Sequence, residues 1–212
     1  MNAPDALASA ALGMRAQADR LDVIAENLAN ASTVGYRARR CAAQAFDGRL
    51  RSEILVSDSQ GPLRRTDVPT DLALVGPGFF AVQTPGGVSH TRDGRLSVGP
   101  DGFLCDARGN HVLGSLGPAR FPRGAHVEPD GRIVCGGRVV DRLRIVVPAG
   151  AGFERARAVV RAGFLEDSGV DPIAEMTELV AAERAYEANQ KTAQRADESL
   201  RRAVTDVPAV RP

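Results

Sequence analysis

The 212-residue chain has no tryptophan, two tyrosines and seven phenylalanines, so aromatic residues make up only 4% of it. That is thin for a compact globular protein and usual for alanine-rich helical assemblies. Lysine is almost missing as well. Lys191 is the only one, and arginine carries the remaining positive charge. Arginine keeps its charge and pairs with carboxylates through a planar fork, which suits fixed protein–protein contacts. Neither sign of charge prevails: the net charge is +1, which gives no electrostatic signal for nucleic acid or an anionic membrane surface. There is no apolar run of about 18 residues, the length that marks a membrane-spanning helix. The first basic residue, Arg15, follows the first apolar positions instead of preceding them, so no Sec-type signal peptide is expected. Cysteine is scarce too. Cys41, Cys105 and Cys135 are odd in number and far apart, which argues against a disulfide framework or a zinc knuckle and reads them as small apolar residues.

What the chain does have is a seam at each end. Leu7, Ala11, Met14, Ala18, Leu21, Ala25 and Leu28 alternate at steps of four and three. Leu179, Ala182, Tyr186, Asn189, Ala193, Ala196, Leu200 and Ala203 do the same near the C-terminus. An apolar position recurring every seven residues lets helices supercoil, and alanine knobs let their axes come close. Pro4 and Asp5 suit a helix start, and Asn30, Ser32, Thr33 and Gly35 suit its end. Pro172 opens the second helix, expected to run to about residue 204.

Between the seams the pattern changes. Residues 36–65 are polar, arginine-rich and weakly periodic, and read as an extended arm. Residues 66–147 alternate with period two and are punctuated by Asp93-Gly94, Asp101-Gly102 and Asp130-Gly131. Asp-Gly supplies the positive φ angles of a tight hairpin, so this stretch is expected to be an antiparallel β domain. Expected strands cover 72–75, 79–84, 88–92, 95–98, 103–106, 111–113, 127–128, 132–135 and 143–147. Residues 148–171, with Pro148, Gly150, Gly152, Gly163 and Gly169, read as a bridge to the helix and tail at 172–212. The fold expected is α+β: helices in residues 1–35 and 172–212 form a coiled-coil-like pair, and a central all-β antiparallel domain sits between them.

No constellation for chemistry stands out. Ser89, His90 and Asp93 are close in sequence but lack a Gly-x-Ser-x-Gly elbow, and a strand followed by a turn sends such side chains to different faces. His90, His111 and His126 are far apart with no acid or cysteine clustered beside them in sequence, so no metal site is expected. Gly76-x-Gly78 lacks the rest of a nucleotide fingerprint. The expectation is a protein with no catalytic residue and no cofactor.

Three stretches carry a family resemblance. The first is Gly13-Met14-Arg15-Ala16-Gln17, then Arg20-Leu21-Asp22-Val23-Ile24-Ala25 and Asn27-Leu28-Ala29-Asn30-Ala31, then Thr33 and Gly35-Tyr36-Arg37. The second is Thr70-Asp71-Leu72-Ala73-Leu74-Val75-Gly76-Pro77-Gly78-Phe79-Phe80, followed by Thr91-Arg92-Asp93-Gly94. The third is Phe164-Leu165-Glu166-Asp167-Ser168-Gly169-Val170-Asp171-Pro172, Glu175-Met176 and Arg184-Ala185-Tyr186-Glu187-Ala188-Asn189-Gln190-Lys191. Together, and in this order, they resemble the bacterial flagellar axial proteins, in particular the proximal and distal basal-body rod proteins, with the hook protein a more distant relative. Glu26, Ser32 and Gly169 depart from the asparagines usual there.

The resemblance implies a structural subunit of the flagellar rod. Its terminal helices would pack as an inner layer of a helical tube around an export channel, and its β domain would lie outside. Partners would be copies of itself, other rod and hook proteins, and the flagellar type III export apparatus, without nucleic acid or membrane insertion. The location would be the periplasm-spanning basal body, reached without a cleaved signal peptide. Assembly-interface residues would be Leu7, Met14, Leu21, Asn27, Leu28, Asn30, Arg37, Leu179, Tyr186, Asn189, Ala193 and Leu200. Two other readings stand beside it: a hook-type axial subunit, and a monomeric binding module carried on a helical stalk.

Overall fold

A computed structural model describes residues 3–46, 49–149, 152–156 and 158–205. Two helices, α1 (Ala3–Ala29) and α2 (Pro172–Thr205), flank sixteen strands. In chain order the strands are β1 (Arg39–Phe46), β2 (Arg49–Val56), β3 (Leu63–Arg65), β4 (Leu72–Val75), β5 (Phe79–Thr84), β6 (Gly87–Thr91), β7 (Ser97–Val98) and β8 (Leu104–Cys105). They continue with β9 (His111–Val112), β10 (His126–Val127), β11 (Arg132–Cys135), β12 (Arg138–Arg142), β13 (Ile145–Ala149), β14 (Gly152–Arg155), β15 (Val159–Ala162) and β16 (Phe164–Glu166). The α+β class and the helix–β–helix order agree with the sequence reading.

The chain divides into two compact units. The first joins residues 1–29, 39–57 and 171–212, and so holds both helices and the β1–β2 hairpin. The expected extended arm is therefore not featureless. Residues 39–56 pair in register from Arg39 opposite Val56 to Phe46 opposite Arg49. The sequence of this stretch mixes arginine with small and apolar residues in no period-two order, so period two could not mark it.

The second unit joins residues 30–38 and 58–170. Its largest sheet runs β14-β13-β5-β9-β8-β7, with β6 also paired to β5. A three-stranded sheet, β10-β11-β12, and two strand pairs, β15–β4 and β16–β3, complete it. Leu72, Leu74, Phe80, Val82, Leu104, Val112, Ile133, Leu143, Ile145 and Val160 fill one core between these sheets. Burying each of the larger ones is worth about 1.5–3 kcal/mol. The expected bridge at 148–171 belongs to this unit up to residue 170, since it supplies β14, β15 and β16. Where the chain enters, β3 and β4 lie antiparallel to β16 and β15, where it leaves. Nine strands expected within 66–147 are present with small shifts of boundary. β12 was missed because Gly136-Gly137 makes the turn that Asp-Gly makes elsewhere.

Candidate assembly surface

In the first unit α1 and α2 pack along each other. The covered side of α2 follows Leu179, Ala182, Ala185, Asn189, Ala193, Ala196 and Leu200, with Ala182 and Ala196 buried. Among the residues whose side chains are described, the expected seam lies on this side except at one position, and Ala203 falls outside them. Tyr186 is exposed, and Ala185 stands on the covered side instead, because a straight helix of 3.6 residues per turn drifts against a strict heptad. On α1 the line of burial is Ala10, Val23, Ile24 and Asn27. Leu7, Met14, Leu21 and Leu28 are half-buried, whereas Ala11 and Ala25 are exposed. The expected heptad on α1 is thus offset, because the covered face includes the polar Gln17 and Asn27, which hydropathy does not flag. Gly13 lies under Asn189: a Cβ there would stand 2.8 Å from the Asn189 Nδ2.

Asn27 is the polar anchor of this unit. Its Nδ2 donates to the Arg39 carbonyl at 2.8 Å and to Glu175 Oε1 at 3.0 Å, and its Oδ1 accepts from the Arg39 N–H at 2.9 Å. One buried side chain thereby ties α1, β1 and the first turn of α2. Glu26 pairs with Arg39 at 2.7 Å, and Arg20 pairs with Glu178. Asp171 caps α2 by accepting from the Ile173 and Ala174 amides.

α2 also carries a second apolar stripe. Ile173, Met176 and Val180, spaced i, i+3 and i+7, are exposed, Ile173 to 78%. At 3.6 residues per turn they lie about half a turn around from Ala182. Ile54, Leu55 and Val56 on β2 are exposed as well. These residues were not singled out as site residues. Their signal was an i, i+3, i+7 set lying off the seam.

In the second unit, Asn30 and Arg37 occupy the turn that follows α1. The Thr33 amide donates to the Asn30 carbonyl at 3.0 Å, and the Thr33 hydroxyl bonds Asn30 Oδ1 at 3.1 Å. Gly35 has φ +68° and donates its N–H to the Glu166 carbonyl at 2.7 Å. A Cβ on Gly35 would lie 2.5 Å from the Arg92 carbonyl carbon. Glycine is required here twice over, by dihedral angle and by space. Arg37 is engaged inside its own unit. It donates to the carbonyls of Asp58 and Ser59 and stands 3.6 Å from Glu166 Oε1. These partners all belong to the same unit as Arg37 itself.

Arg37 is one arm of a buried charge cluster. Glu166 is 1% and Arg92 3% exposed. Arg92 Nε lies 2.9 Å from Glu166 Oε2, but neither atom has an in-line hydrogen-bond partner, so the contact is Coulombic more than directional. Arg92 Nη1 donates to the carbonyls of Gly76 and Gly78 at 2.8 and 2.6 Å, and Glu166 Oε1 accepts from the Gly61 amide at 3.2 Å. Burial pushes the Arg92 guanidinium below its ordinary value, against the opposing pull of Glu166. Both residues stood inside the motif stretches, yet no role was read from them. A lone charge inside an apolar strand, as in Phe164-Leu165-Glu166, was the available signal.

His90 and Asp93 turn to separate neighbours. His90 stacks on Phe153 at 3.7 Å, and Asp93 pairs with Arg95 at 2.7 Å. The fold brings Asp101 and Cys105 beside His111. Asp101 lies in the turn before β8 and Cys105 on β8, and pairing of β8 with β9 delivers His111, a proximity that sequence spacing does not display. Burial and the charge of Asp101 push the Cys105 thiol up, so it is not an activated nucleophile.

Comparison with known proteins accounts for this arrangement. Residues 7–37 match the family described as "Flagella basal body rod protein". Residues 73–154 match "Flagellar hook protein FlgE/F/G D1 domain", and residues 161–206 match "Flagellar basal body rod FlgEFG protein C-terminal". The chain is 32% identical to the flagellar basal-body rod protein FlgF of Caulobacter vibrioides over 87% of its own length and 90% of that protein. It belongs to the flagellar basal-body rod family. A FlgF of Mesorhizobium japonicum is 30% identical, with 86% of this chain and 90% of the relative covered. The hook protein FlgE of Brucella abortus is 37% identical over 65% of this chain, but the match spans only 36% of that hook protein. The protein is therefore a structural rod subunit of the flagellar basal body, and the hook reading is not favoured.

Proposed function

We propose that this rod subunit builds a helical tube by burying the second apolar stripe of α2 against other copies, leaving the α1–α2 seam to close within each subunit. The observation that carries this is the two-sided α2. One side is covered by α1, and the other presents Ile173, Met176 and Val180 to solvent. A helix apolar on two sides needs a second partner. In a tube of many copies, neighbouring subunits supply it, and the exposed Ile54-Leu55-Val56 edge adds a further contact. The tube surrounds the export channel and transmits torque. Its subunits arrive unfolded through the flagellar type III apparatus, without a cleaved signal peptide, and meet other rod and hook proteins at its ends. The role is architectural, with no catalytic step.

The test is complementation of a strain deleted for this gene, with hook–basal bodies purified and analysed by mass spectrometry and electron microscopy. The wild-type chain restores complete rods. The double variant Ile173→Asp, Val180→Asp is expected to fold with unchanged helicity and yet be missing from the rods. Normal incorporation of that variant refutes the proposed contact.

A further inference from the structure

The free edge of the seven-stranded sheet is made from very little backbone. β7, β8 and β9 are two residues each. The turn between β7 and β8 is closed by Gly99 N–H to the Phe103 carbonyl at 2.8 Å, and the next by Asp106 N–H to the Asn110 carbonyl at 2.9 Å. Short ladders of this kind hold few hydrogen bonds and open easily.

Three side chains meet at this edge. Cys105 on β8 and His111 on β9 are directly opposed partners, so their side chains emerge on one face. Cys105 Sγ lies 3.5 Å from His111 Nδ1. Asp101, in the preceding turn, places Oδ2 3.5 Å from His111 Nε2. One donor atom from each residue lies within 4.8 Å of the other two. The Phe103 ring meets the imidazole edge-on at 5.7 Å and limits its rotation.

We propose that Asp101, Cys105 and His111 form a binding site for one divalent ion of the zinc type. The donor set decides the class. Zinc takes cysteine sulfur at about 2.3 Å, histidine nitrogen at about 2.0–2.1 Å and carboxylate oxygen at about 2.0–2.2 Å, in a tetrahedron. The sulfur–nitrogen edge of that tetrahedron is about 3.5 Å, the separation seen between Cys105 and His111. Asp101 is exposed and faces Nε2, so joining an ion at Nδ1 requires its side chain to leave the Phe103 amide that Oδ1 accepts from at 3.3 Å and swing to the same ion. Calcium and magnesium, which demand oxygen donors, do not suit a site with sulfur and nitrogen. Three protein donors leave the fourth position to water. The ion would tie the turn before β8 to β8 and β9, stapling an edge whose own ladder is short.

The experiment uses the full chain, stripped of metal by a chelator under a phosphine reductant and titrated with cobalt(II), then with zinc. The expected result is one equivalent of cobalt giving a thiolate-to-metal charge-transfer band and the visible bands of a tetrahedral site, displaced by zinc. The Cys41→Ser, Cys135→Ser double variant keeps the band. Cys105→Ser loses it. His111→Gln and Asp101→Asn weaken binding by at least about 10-fold, since even groups that only support a ligand are worth that much. Asp101 is exposed, so Asp101→Asn remains informative if Cys105→Ser fails to fold. The proposal is overturned by the lack of a charge-transfer band in the intact chain. It is equally overturned by a band that survives Cys105→Ser, or by affinities unchanged in both Asp101→Asn and His111→Gln.

Discussion

Replacing Glu166 with glutamine removes one charge and almost no volume, so it isolates the electrostatics of the buried cluster. Among the described residues, Glu166 is the carboxylate that pairs with both arginines, Arg92 at 2.9 Å and Arg37 at 3.6 Å. At an effective dielectric of about 20, each such pair attracts by roughly 4–6 kcal/mol. Most of that offsets the cost of taking the charges out of water, so the figure to use is the cost of breaking a buried pair, about 3–5 kcal/mol. Arg92 suffers most, because its carbonyl partners Gly76 and Gly78 satisfy Nη1 alone. For a unit of this size, about 1 kcal/mol shifts the melting midpoint by roughly 3–5 °C, so Glu166→Gln is expected to lower it by about 10–20 °C. The reporter is built in. The chain has no tryptophan and two tyrosines, Tyr36 in the second unit and Tyr186 in the first. In a Tyr186→Phe background, tyrosine fluorescence follows the second unit within the full chain. Urea titration then gives the free energy, with an unchanged slope showing that the same surface unfolds. The double variant Arg92→Met, Glu166→Leu is expected to recover a large part of the loss, because apolar replacement of both partners removes the desolvation cost with the attraction. A loss below about 1 kcal/mol for Glu166→Gln, or a double variant whose loss equals the sum of the singles, would refute the reasoning.

Other perturbations test other parts. Gly35→Ala forces a side chain into a left-handed dihedral and against the Arg92 backbone; it is expected to cost at least about 1–3 kcal/mol by the same Tyr36 melt. Asn27→Ala strands the Arg39 backbone groups and is expected to cost about 1–3 kcal/mol in the first unit, read as lost helicity in far-ultraviolet circular dichroism with the Tyr36 signal unmoved. Zinc at a hundredfold excess over its dissociation constant is expected to stabilise the second unit by about 2.7 kcal/mol, and to leave Cys105→Ser unchanged.

What the sequence displayed and what it hid divide along physical lines. The helices, their order and most core strands were legible because heptad spacing and Asp-Gly turns are local signals. β5 could be read to the residue from its apolar run ahead of the Pro85-Gly86-Gly87 turn, although its burial does not alternate: Phe80, Ala81 and Val82 are all buried. The α2 seam was legible because alanine marks close approach, and only Tyr186 was misplaced. The α1 seam was less so, because its covered face includes Gln17 and Asn27, and apolarity alone does not reveal a polar residue used inside. β1, β2, β3 and β14 to β16 were hidden because their pairing is between strands distant in sequence or lacks alternation. The Asp101–Cys105–His111 group needed the β8–β9 register, which no spacing rule supplies.

The buried cluster has a further consequence for the rod subunit. Stability alone does not explain it, since an apolar trio would serve as well. Its value lies in register. Glu166 reaches Arg92 and Arg37 only while Phe164 opposes Arg65 and Glu166 opposes Leu63 across β16 and β3. A slip of one residue turns Glu166 to the opposite face, leaving two arginines buried without a carboxylate. An apolar side chain would tolerate that slip, whereas the charge cluster penalises it by the several kcal/mol of broken buried pairs. A chain that must fold after delivery to a growing tip gains from such a check, because β3 and β16 are separated by about a hundred residues. Moving the acid should therefore be worse than losing it. Leu165→Glu with Glu166→Leu keeps composition and charge but points the carboxylate away, and it is expected to destabilise the second unit at least as much as Glu166→Gln. A smaller loss in the Tyr36 melt would show that the cluster contributes charge balance and no register.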